Sequence, residues 1–315
     1  MMLRRLLLLS CVFALCVVML GAYTRLTNAG LGCPDWPGCY GHMVVDANVV
    51  DSTKAWTEMI HRYFAGALGL LIGGLTLTSC FNARLREVHH LLLLLAGLVV
   101  FQAALGMWTV TWKLHPTVVM SHLLGGILIF NLLWLAYLKA SSGEFNVEKE
   151  PVFKRALRVA VVLVFMQIAL GGWTSANYAA LACPDFPTCG GTWWPSLDIK
   201  KAFQLIHPIG ADYEGGVFSS DVRVTIHFMH RLGALCVGTV LLVLAGMSLN
   251  TPTLRPSALA VIGLLIIQIM LGISNVIYQL PLPVAVLHNG VAALLLAATI
   301  TLCFRYDHPR RPYVR

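Results

Sequence analysis

Charged side chains are scarce in this sequence: Asp, Glu, Lys and Arg together make up 11% of its 315 residues. A soluble domain carries about 25%, so the composition excludes an ordinary soluble enzyme. Hydrophobic residues instead make up 58% of the chain, and they form runs of about 20 residues, the length that crosses a bilayer as a helix. The runs cover residues 3–23, 60–80, 89–110, 116–138, 153–175, 224–249, 257–278 and 283–304. The sequence therefore predicts an all-α polytopic membrane protein with eight transmembrane helices.

Two cysteine motifs are also missing. Without a C-x-x-C-H sequence, any heme would be bound non-covalently, and the lack of C-x-x-C disfavours a thiol oxidoreductase. Four of the nine cysteines form pairs in the long loops 24–56 and 176–223, namely Cys33/Cys39 and Cys183/Cys189. An oxidising compartment permits disulfides there. A structural clasp over the mouth of a helix bundle is favoured, and a redox role for one pair stays open.

The net charge of +8 is explained by its distribution and does not require a nucleic-acid partner. Basic residues are concentrated in the short connections and the termini, from Arg4 and Arg5 to Arg310 and Arg311. The positive-inside rule places that side, with both termini, in the cytoplasm. The cysteine-bearing loops are then extracytoplasmic. Arg4-Arg5 before an apolar run also fits a signal peptide, but the run is long enough to span, which favours an uncleaved first helix.

An internal repeat organises the chain. A shift of 150 residues superimposes the first apolar run and its loop on the fifth run and its loop, and shifts of 169 and 166 relate the later segments. The residues that match across the first shift include Leu170, Gly171, Thr174, Ala179, Leu181, Cys183, Pro184, Asp185, Pro187 and Cys189. Four helices per repeat predict two tandem-repeat four-helix bundles in the same orientation. The N-terminal bundle is expected to comprise residues 1–140 and the C-terminal bundle residues 141–315.

Four histidines recur at related positions of the repeat, near the outer start of each even-numbered span: His61, His122, His230 and His288. An ionisable group within a span is costly and usually has a partner or a task. Two facing histidines in a four-helix bundle suit a flat metal cofactor held axially, above all heme. Zinc would need three or four clustered ligands. Six other histidines are expected to be solvated, in loops or at helix ends: His42, His89, His90, His115, His207 and His308.

A Leu-Gly pair recurs near the outer ends of the odd-numbered spans. The glycines are Gly21, Gly106, Gly171 and Gly272. Small residues at such positions let two backbones, or a backbone and a flat ligand, approach closely. Both explanations stay open from the sequence.

The two halves differ at one ionisable position. Glu58 stands three residues before His61, whereas His227 stands three residues before His230, and residues three apart share a helix face. A carboxylate near an axial ligand can stabilise positive charge that develops there, or accept a proton. A neutral histidine suits a heme that only transfers electrons. The first half is therefore predicted to be catalytic through Glu58, although a small metal site with Glu58 as a third ligand stays open.

Taken in order, these motifs resemble the heme A synthases, over nearly the whole chain. The motifs are Thr24-Arg25-Leu26-Thr27, Gly30-Leu31, Cys33-Pro34-Asp35-Trp36-Pro37, Glu58-x-x-His61-Arg62, His122-Leu-Leu-Gly-Gly126, His230-Arg231 and His288. The resemblance implies an enzyme of a bacterial inner membrane that oxidises the C8 methyl of heme O to a formyl group, giving heme A for terminal oxidases. It also implies that His61 and His122 take the substrate heme, while His230 and His288 hold a heme b cofactor.

The resemblance further implies supporting residues and partners. Arg62, His227 and Arg231 stand beside the ligands as supporting residues, and family members carry cysteine pairs that match Cys33/Cys39 and Cys183/Cys189. The expected partners are a heme O synthase (a farnesyltransferase) that supplies the substrate and an electron acceptor. A homo-oligomer is left open.

Three other functions compete with this interpretation. The runner-up is a diheme b-type membrane electron carrier that oxidises quinol, with fixed heme b in both halves. A membrane thiol oxidoreductase that uses Cys33 and Cys39, or a transporter built on a parallel repeat, would leave the histidines unexplained. The loop 176–223, which contains Trp193-Trp194-Pro195, gives no chemical signal.

Overall fold

The computed structural model describes residues 2–46, 51–141 and 150–307, and all the regular secondary-structure elements in these ranges are helices. They are α1 (Met2–Leu26), α2 (Ser52–Phe81), α3 (His89–Thr111), α4 (Pro116–Ser141), α5 (Pro151–Ala176), α6 (Ile199–Ala202), α7 (Ser220–Ser248), α8 (Arg255–Ile277) and α9 (Leu282–Asp307). A short 3₁₀ helix (Ala83–Val88) leads into α3. The prediction of an all-α protein is confirmed.

All of these helices except the four-residue α6 are long and apolar enough to cross a membrane, which gives the eight spans that the sequence predicts. The largest difference lies in α2, which begins at Ser52 and not at residue 60. Asp51 caps it, since its carboxylate accepts the Lys54 amide at 3.1 Å. Glu58 and His61 therefore lie one to three turns inside the helix. The apolar run alone had placed them at its start.

The helices contact one another in two closed rings. In the first ring, α1 and α3 each contact both α2 and α4; in the second, α5 and α8 each contact both α7 and α9. The rings meet through α1, α4, α5 and α9. Polar links cross this contact. The Trp134 indole of α4 donates to Thr301 Oγ1 of α9 at 2.8 Å, and Arg25 Nη2 of α1 donates to the Ser175 carbonyl of α5 at 2.7 Å.

Large apolar side chains point outward from the helices at the periphery. Leu70 and Phe81 of α2 are 81% and 89% exposed, and Leu235 of α7 is 69% exposed. Such a surface would be unfavourable in water, but it matches the hydrocarbon of a bilayer, where helices satisfy their own backbone polar groups. The chain is thus a multi-pass membrane protein.

The loop after α5, which the sequence leaves without a function, packs against the first half of the chain. The Tyr213 amide donates to the Lys113 carbonyl at 3.1 Å, and Thr117 Oγ1 donates to the Leu205 carbonyl at 2.6 Å. The loop also contains α6, whose Ala202 carbonyl accepts the Trp173 indole at 2.7 Å. This loop therefore bridges the two rings.

His115 corrects one expectation from the sequence. It was expected to be solvated, but it is only 6% exposed. The loop covers it, because the rings of His207 and Tyr213 lie 5.8 Å and 5.3 Å from its own. The sequence separates His115 from these residues by more than ninety positions, so this burial could not be predicted from helix periodicity.

Some expectations fall outside the described residues. Residues 142–149, beside the expected boundary at 140/141, lie outside them, as does His308.

Candidate functional site

The four repeated histidines lie on the second and fourth helix of each ring, and each imidazole rests on a glycine of another helix. A Cβ added to the glycine would come within 2.9–3.2 Å of the imidazole Cε1 in every case. The pairs are Gly21 with His61, Gly106 with His122, Gly171 with His230 and Gly272 with His288. Since ordinary side chains do not approach so closely, the recurrent Leu-Gly glycines admit the histidine rings. The contact is neither plain backbone packing nor the approach of a ligand to the glycine itself.

The first pair of histidines is close together. The rings of His61 and His122 have centroids 6.4 Å apart and stand nearly perpendicular, at 89°. His61 comes from α2 and His122 from α4, so helices on opposite sides of the first ring meet here. Both Nδ1 atoms are buried without a hydrogen-bond partner.

The second pair lines a cavity of about 630 Å³. His230 of α7 and His288 of α9 both contribute to its wall, together with Arg231 and the small residues Gly171 and Gly272. A volume of this size falls in the range of ligand and cofactor pockets, about 300–1,000 Å³. Trp193 and Trp194, which the sequence left unexplained, line the same cavity from the loop and are 74% and 68% exposed.

Glu58 contacts the disulfide loop. One carboxylate oxygen forms an ion pair with Arg62 at 2.5 Å, and the other accepts the Cys33 amide at 2.9 Å. Glu58 is only 4% exposed. Arg62 in turn donates to the carbonyls of Asp35 and Gly38 at 2.9 Å and 2.5 Å. The carboxylate and the loop thus form one hydrogen-bonded unit beside His61.

The second half repeats this arrangement with a histidine in place of the carboxylate. Arg231 Nε donates to His227 Nε2 at 3.0 Å, and its Nη atoms donate to the carbonyls of Thr188, Cys183 and Asp185 at 2.8–3.0 Å. His227 Nδ1 lies 3.0 Å from the Ala179 carbonyl. The roles of the two arginines are therefore the same, and only the charge of the residue they contact differs.

Both cysteine pairs form disulfides, Cys33–Cys39 and Cys183–Cys189. The sulfurs are not in an exposed setting as the loop position suggested, because all four cysteines are at most 4% exposed. The first disulfide packs against Ala55 and Met59 of α2, the turn that carries Glu58. A buried disulfide that fixes a loop on its helix favours the structural clasp over a redox role.

An aspartate organises the tip of each disulfide loop. Asp185 accepts hydrogen bonds from the Thr188 hydroxyl and from the amides of Gly191 and Gly190, the latter two at 2.9 Å and 2.6 Å. These bonds, of which the one from Thr188 has the largest effect, lower the pKa of Asp185 to about 2. Asp35 makes the corresponding bonds in the first loop.

Replacing Asp185 with Asn should loosen the second loop without unfolding the chain. We expect the amides of Gly190 and Gly191 to exchange hydrogen roughly tenfold faster, since Asn loses one acceptor oxygen and the charge. The folded-state pKa is lowered, so the stabilisation is present above the pKa of a free aspartate, about 4, and is lost as the pH falls through about 2. Wild-type protection should therefore persist at pH 4. Hydrogen exchange read by mass spectrometry measures both the faster exchange in the variant and the protection of the wild-type amides at pH 4.

The control for this variant is Asp198→Asn, which alters the cap of α6 and should leave the same amides unchanged. Equal exchange at Gly190 and Gly191 in wild type and Asp185→Asn would contradict the assignment.

The residues present fit a heme in each half better than a bare metal ion. Among the described residues, no three His, Cys, Asp or Glu side chains gather as metal ligands. The structure instead brings together a pair of half-buried histidines in each ring, and each imidazole rests on a glycine that admits it. Ring nitrogens without a hydrogen-bond partner at His61, His122 and His288, and a largely apolar cavity at the second pair, suit a bis-histidine heme.

Sequence reasoning missed the role of two glutamines. Gln102 and Gln167 donate to the backbone carbonyls of His122 and His230. The signal was present, because each glutamine stands four residues before a Leu-Gly glycine. The sequence cannot show which atom such an amide reaches, because that depends on the relative height of two helices.

Comparisons with known proteins place the chain in a family. The family model described as cytochrome oxidase assembly protein, COX15-CtaA, matches residues 4–300. A heme A synthase of Shewanella oneidensis is 45% identical, over 98% of both chains. The heme A synthases of Halalkalibacterium halodurans and Rhizorhabdus wittichii are 27% and 25% identical, over 91% and 96% of this chain and 90% and 94% of their own.

Proposed function

The chain belongs to the COX15-CtaA family of cytochrome oxidase assembly proteins, and from this we propose that it is a heme A synthase, a membrane oxidoreductase that converts the C8 methyl of heme O to a formyl group. One observation supports this function beyond the family: two similar histidine pairs, of which only the first has a carboxylate on the neighbouring turn, at Glu58. An enzyme with one reacting heme and one electron-transferring heme needs that asymmetry, whereas an electron carrier does not.

The ligand assignment follows the two halves of the chain. His61 and His122, in the N-terminal unit of residues 1–140, hold the substrate heme O; His230 and His288, in the C-terminal unit of residues 141–315, hold heme b. When bound, heme b supplies one-electron transfer. The two closed helix rings and the repeated glycine contacts support a division into two tandem-repeat bundles.

Glu58 acts on the charge of the substrate heme. Both of its oxygens accept hydrogen bonds, from Arg62 and from the Cys33 amide, which fix the position of the carboxylate. A fixed negative charge one turn from His61 stabilises positive charge that develops on the porphyrin methyl as it is oxidised.

The environment of the enzyme follows from its charges and its substrate. Both termini lie in the cytoplasm and both disulfide loops outside, in the inner membrane of a bacterium. A heme O synthase, a farnesyltransferase, supplies heme O, and an electron acceptor removes the electrons.

The alternative, a diheme b-type electron carrier that oxidises quinol, would keep unmodified heme b at both histidine pairs. The relatives named heme A synthase at up to 45% identity do not favour it.

The test is the heme content of cells that make heme O but lack heme A. Expression of this chain should convert heme O to heme A, measured by chromatography of acid-acetone extracts. The purified protein should contain heme b together with heme O or heme A. Heme b alone, in both sites and without heme A in the cells, would support the electron carrier instead.

A further inference from the structure

A glutamine from a neighbouring helix reaches the backbone of one ligand histidine in each half. Gln102 Nε2 of α3 donates to the His122 carbonyl of α4 at 2.6 Å. Gln167 Nε2 of α5 donates to the His230 carbonyl of α7 at 2.9 Å and lies 3.0 Å from His230 Nδ1. Both glutamines are partly buried between apolar helices. An amide in that setting is costly to leave without a partner, so these bonds hold the helices in register.

A glycine three residues after the histidine makes room for each glutamine. A Cβ on Gly125 would lie 2.0 Å from Gln102 Oε1, and a Cβ on Gly233 would lie 2.4 Å from Gln167 Oε1. No side chain can approach that closely while the glutamine keeps its place. We call these two pairs, Gln102 with Gly125 and Gln167 with Gly233, the glutamine–glycine clamps.

The other two histidines lack this arrangement. At His61 the corresponding residue on α1 is Val17, the repeat counterpart of Gln167, which is 8% exposed and has no donor. At His288 the amide of Gln268 lies 3.3 Å from the ring Nε2 and not at the backbone. Helix pairs of the same kind therefore pack without a clamp, so packing alone does not require one.

We propose that Gln102 and Gln167 are positioning residues that orient His122 and His230 as axial ligands, one for the heme of each half. The proposal rests on the heme sites proposed above and adds to each the residue that holds its ligand. In each half the clamp acts on a single histidine, and the facing histidine is held by its glycine contact.

Each clamp fixes its histidine at two points from one helix. Gln102 bonds the backbone of His122, while Gly106, one turn along α3, packs against the ring of the same histidine. Together they fix the height of the α4 turn and the plane of the imidazole. Groups that orient a metal ligand from behind typically change metal affinity by about 10- to 100-fold.

Gln167→Met tests the proposal in the second half, because methionine keeps the length of the side chain and removes the donor. In the purified full-length protein, we expect heme b to transfer to apomyoglobin about 10- to 100-fold faster than from wild type. The midpoint potential and the low-spin electron paramagnetic resonance g-values of heme b should shift as well. Gln102→Met should have the same effects on the first-site heme only.

Two further variants separate positioning from packing. Val17→Leu alters the equivalent apolar position and should leave the transfer rates, the potential and the g-values as in wild type. Gly233→Ala should displace Gln167 and therefore give the same heme b spectra as Gln167→Met. The double variant Gly233→Ala/Gln167→Met should differ little from Gln167→Met, because the amide that the alanine displaces is already absent.

If the heme b spectra, midpoint potential and transfer rate of Gln167→Met are the same as in wild type, the proposal is overturned. It is also overturned if Val17→Leu changes these quantities as much as the glutamine variants do. These readouts are independent of heme A formation. A wild-type chain that makes no heme A, while Gln167→Met still shifts the heme b signals, would overturn the proposed function and support the clamp. Normal heme A in wild type with no shift in the variant would overturn the clamp alone.

Discussion

Glu58→Gln should leave heme O bound to the protein but lower its conversion to heme A by about 10²- to 10⁴-fold, the usual cost of losing one positioned electrostatic or acid–base group. Glutamine has the same shape and keeps one acceptor oxygen, which can bond to either the Arg62 guanidinium or the Cys33 amide, so the link to the disulfide loop is retained in part. What disappears is the negative charge beside His61. Heme O and heme A, separated by chromatography from cells and from the purified variant, give the ratio directly.

The matched control is His227→Gln, which alters the equivalent position of the second half. Its effect on turnover should be far milder, because the contact with Arg231 there involves no net negative charge. Near-normal heme A from Glu58→Gln would contradict the catalytic assignment. Glu58 would then be a structural link between α2 and its loop, since its place inside the helix rules out a simple favourable interaction with the helix start.

Replacing either histidine of the second pair should deplete heme b. His230→Leu or His288→Leu removes one of two protein ligands, and we expect the heme b content of the purified protein to fall at least about tenfold, the lower end of the loss that changes to the groups behind a ligand cause. Conversion of heme O should fall with it, because electrons then have no acceptor within the protein. The pyridine hemochrome spectrum measures heme b per polypeptide.

His115→Leu provides the control, since His115 is also a buried histidine near the outer ends of the helices but contacts His207 and Tyr213. Heme b should be retained there. Full heme b content in His230→Leu would mean that this histidine is not an axial ligand.

The sequence predicted the membrane spans well, for a physical reason. Apolar runs are local signals, and they survive in the structure as eight spans. Histidines inside spans were informative because an ionisable group is costly there. The start of α2 was missed by eight residues (60 against 52) because its first turns are polar and depend on the Asp51 cap.

The sequence could not predict contacts that depend on how two distant segments meet. The burial of His115 requires a loop about ninety residues later, and the partners of Glu58 include a backbone amide at Cys33. The glycines were noticed, but whether they admit a helix, a ligand or a histidine ring depends on the distance between helices. Such distances are set by packing across the whole molecule.

The fastening of the first loop by Arg62 bears on how the protein matures. Arg62 contacts the carbonyls of Asp35 and Gly38, which belong to the loop that the Cys33–Cys39 disulfide closes. A newly inserted chain thus completes the surroundings of Glu58 only after oxidative folding has closed this loop. Assembly of an active enzyme is therefore linked to the thiol-oxidising capacity of the compartment in which the loop folds.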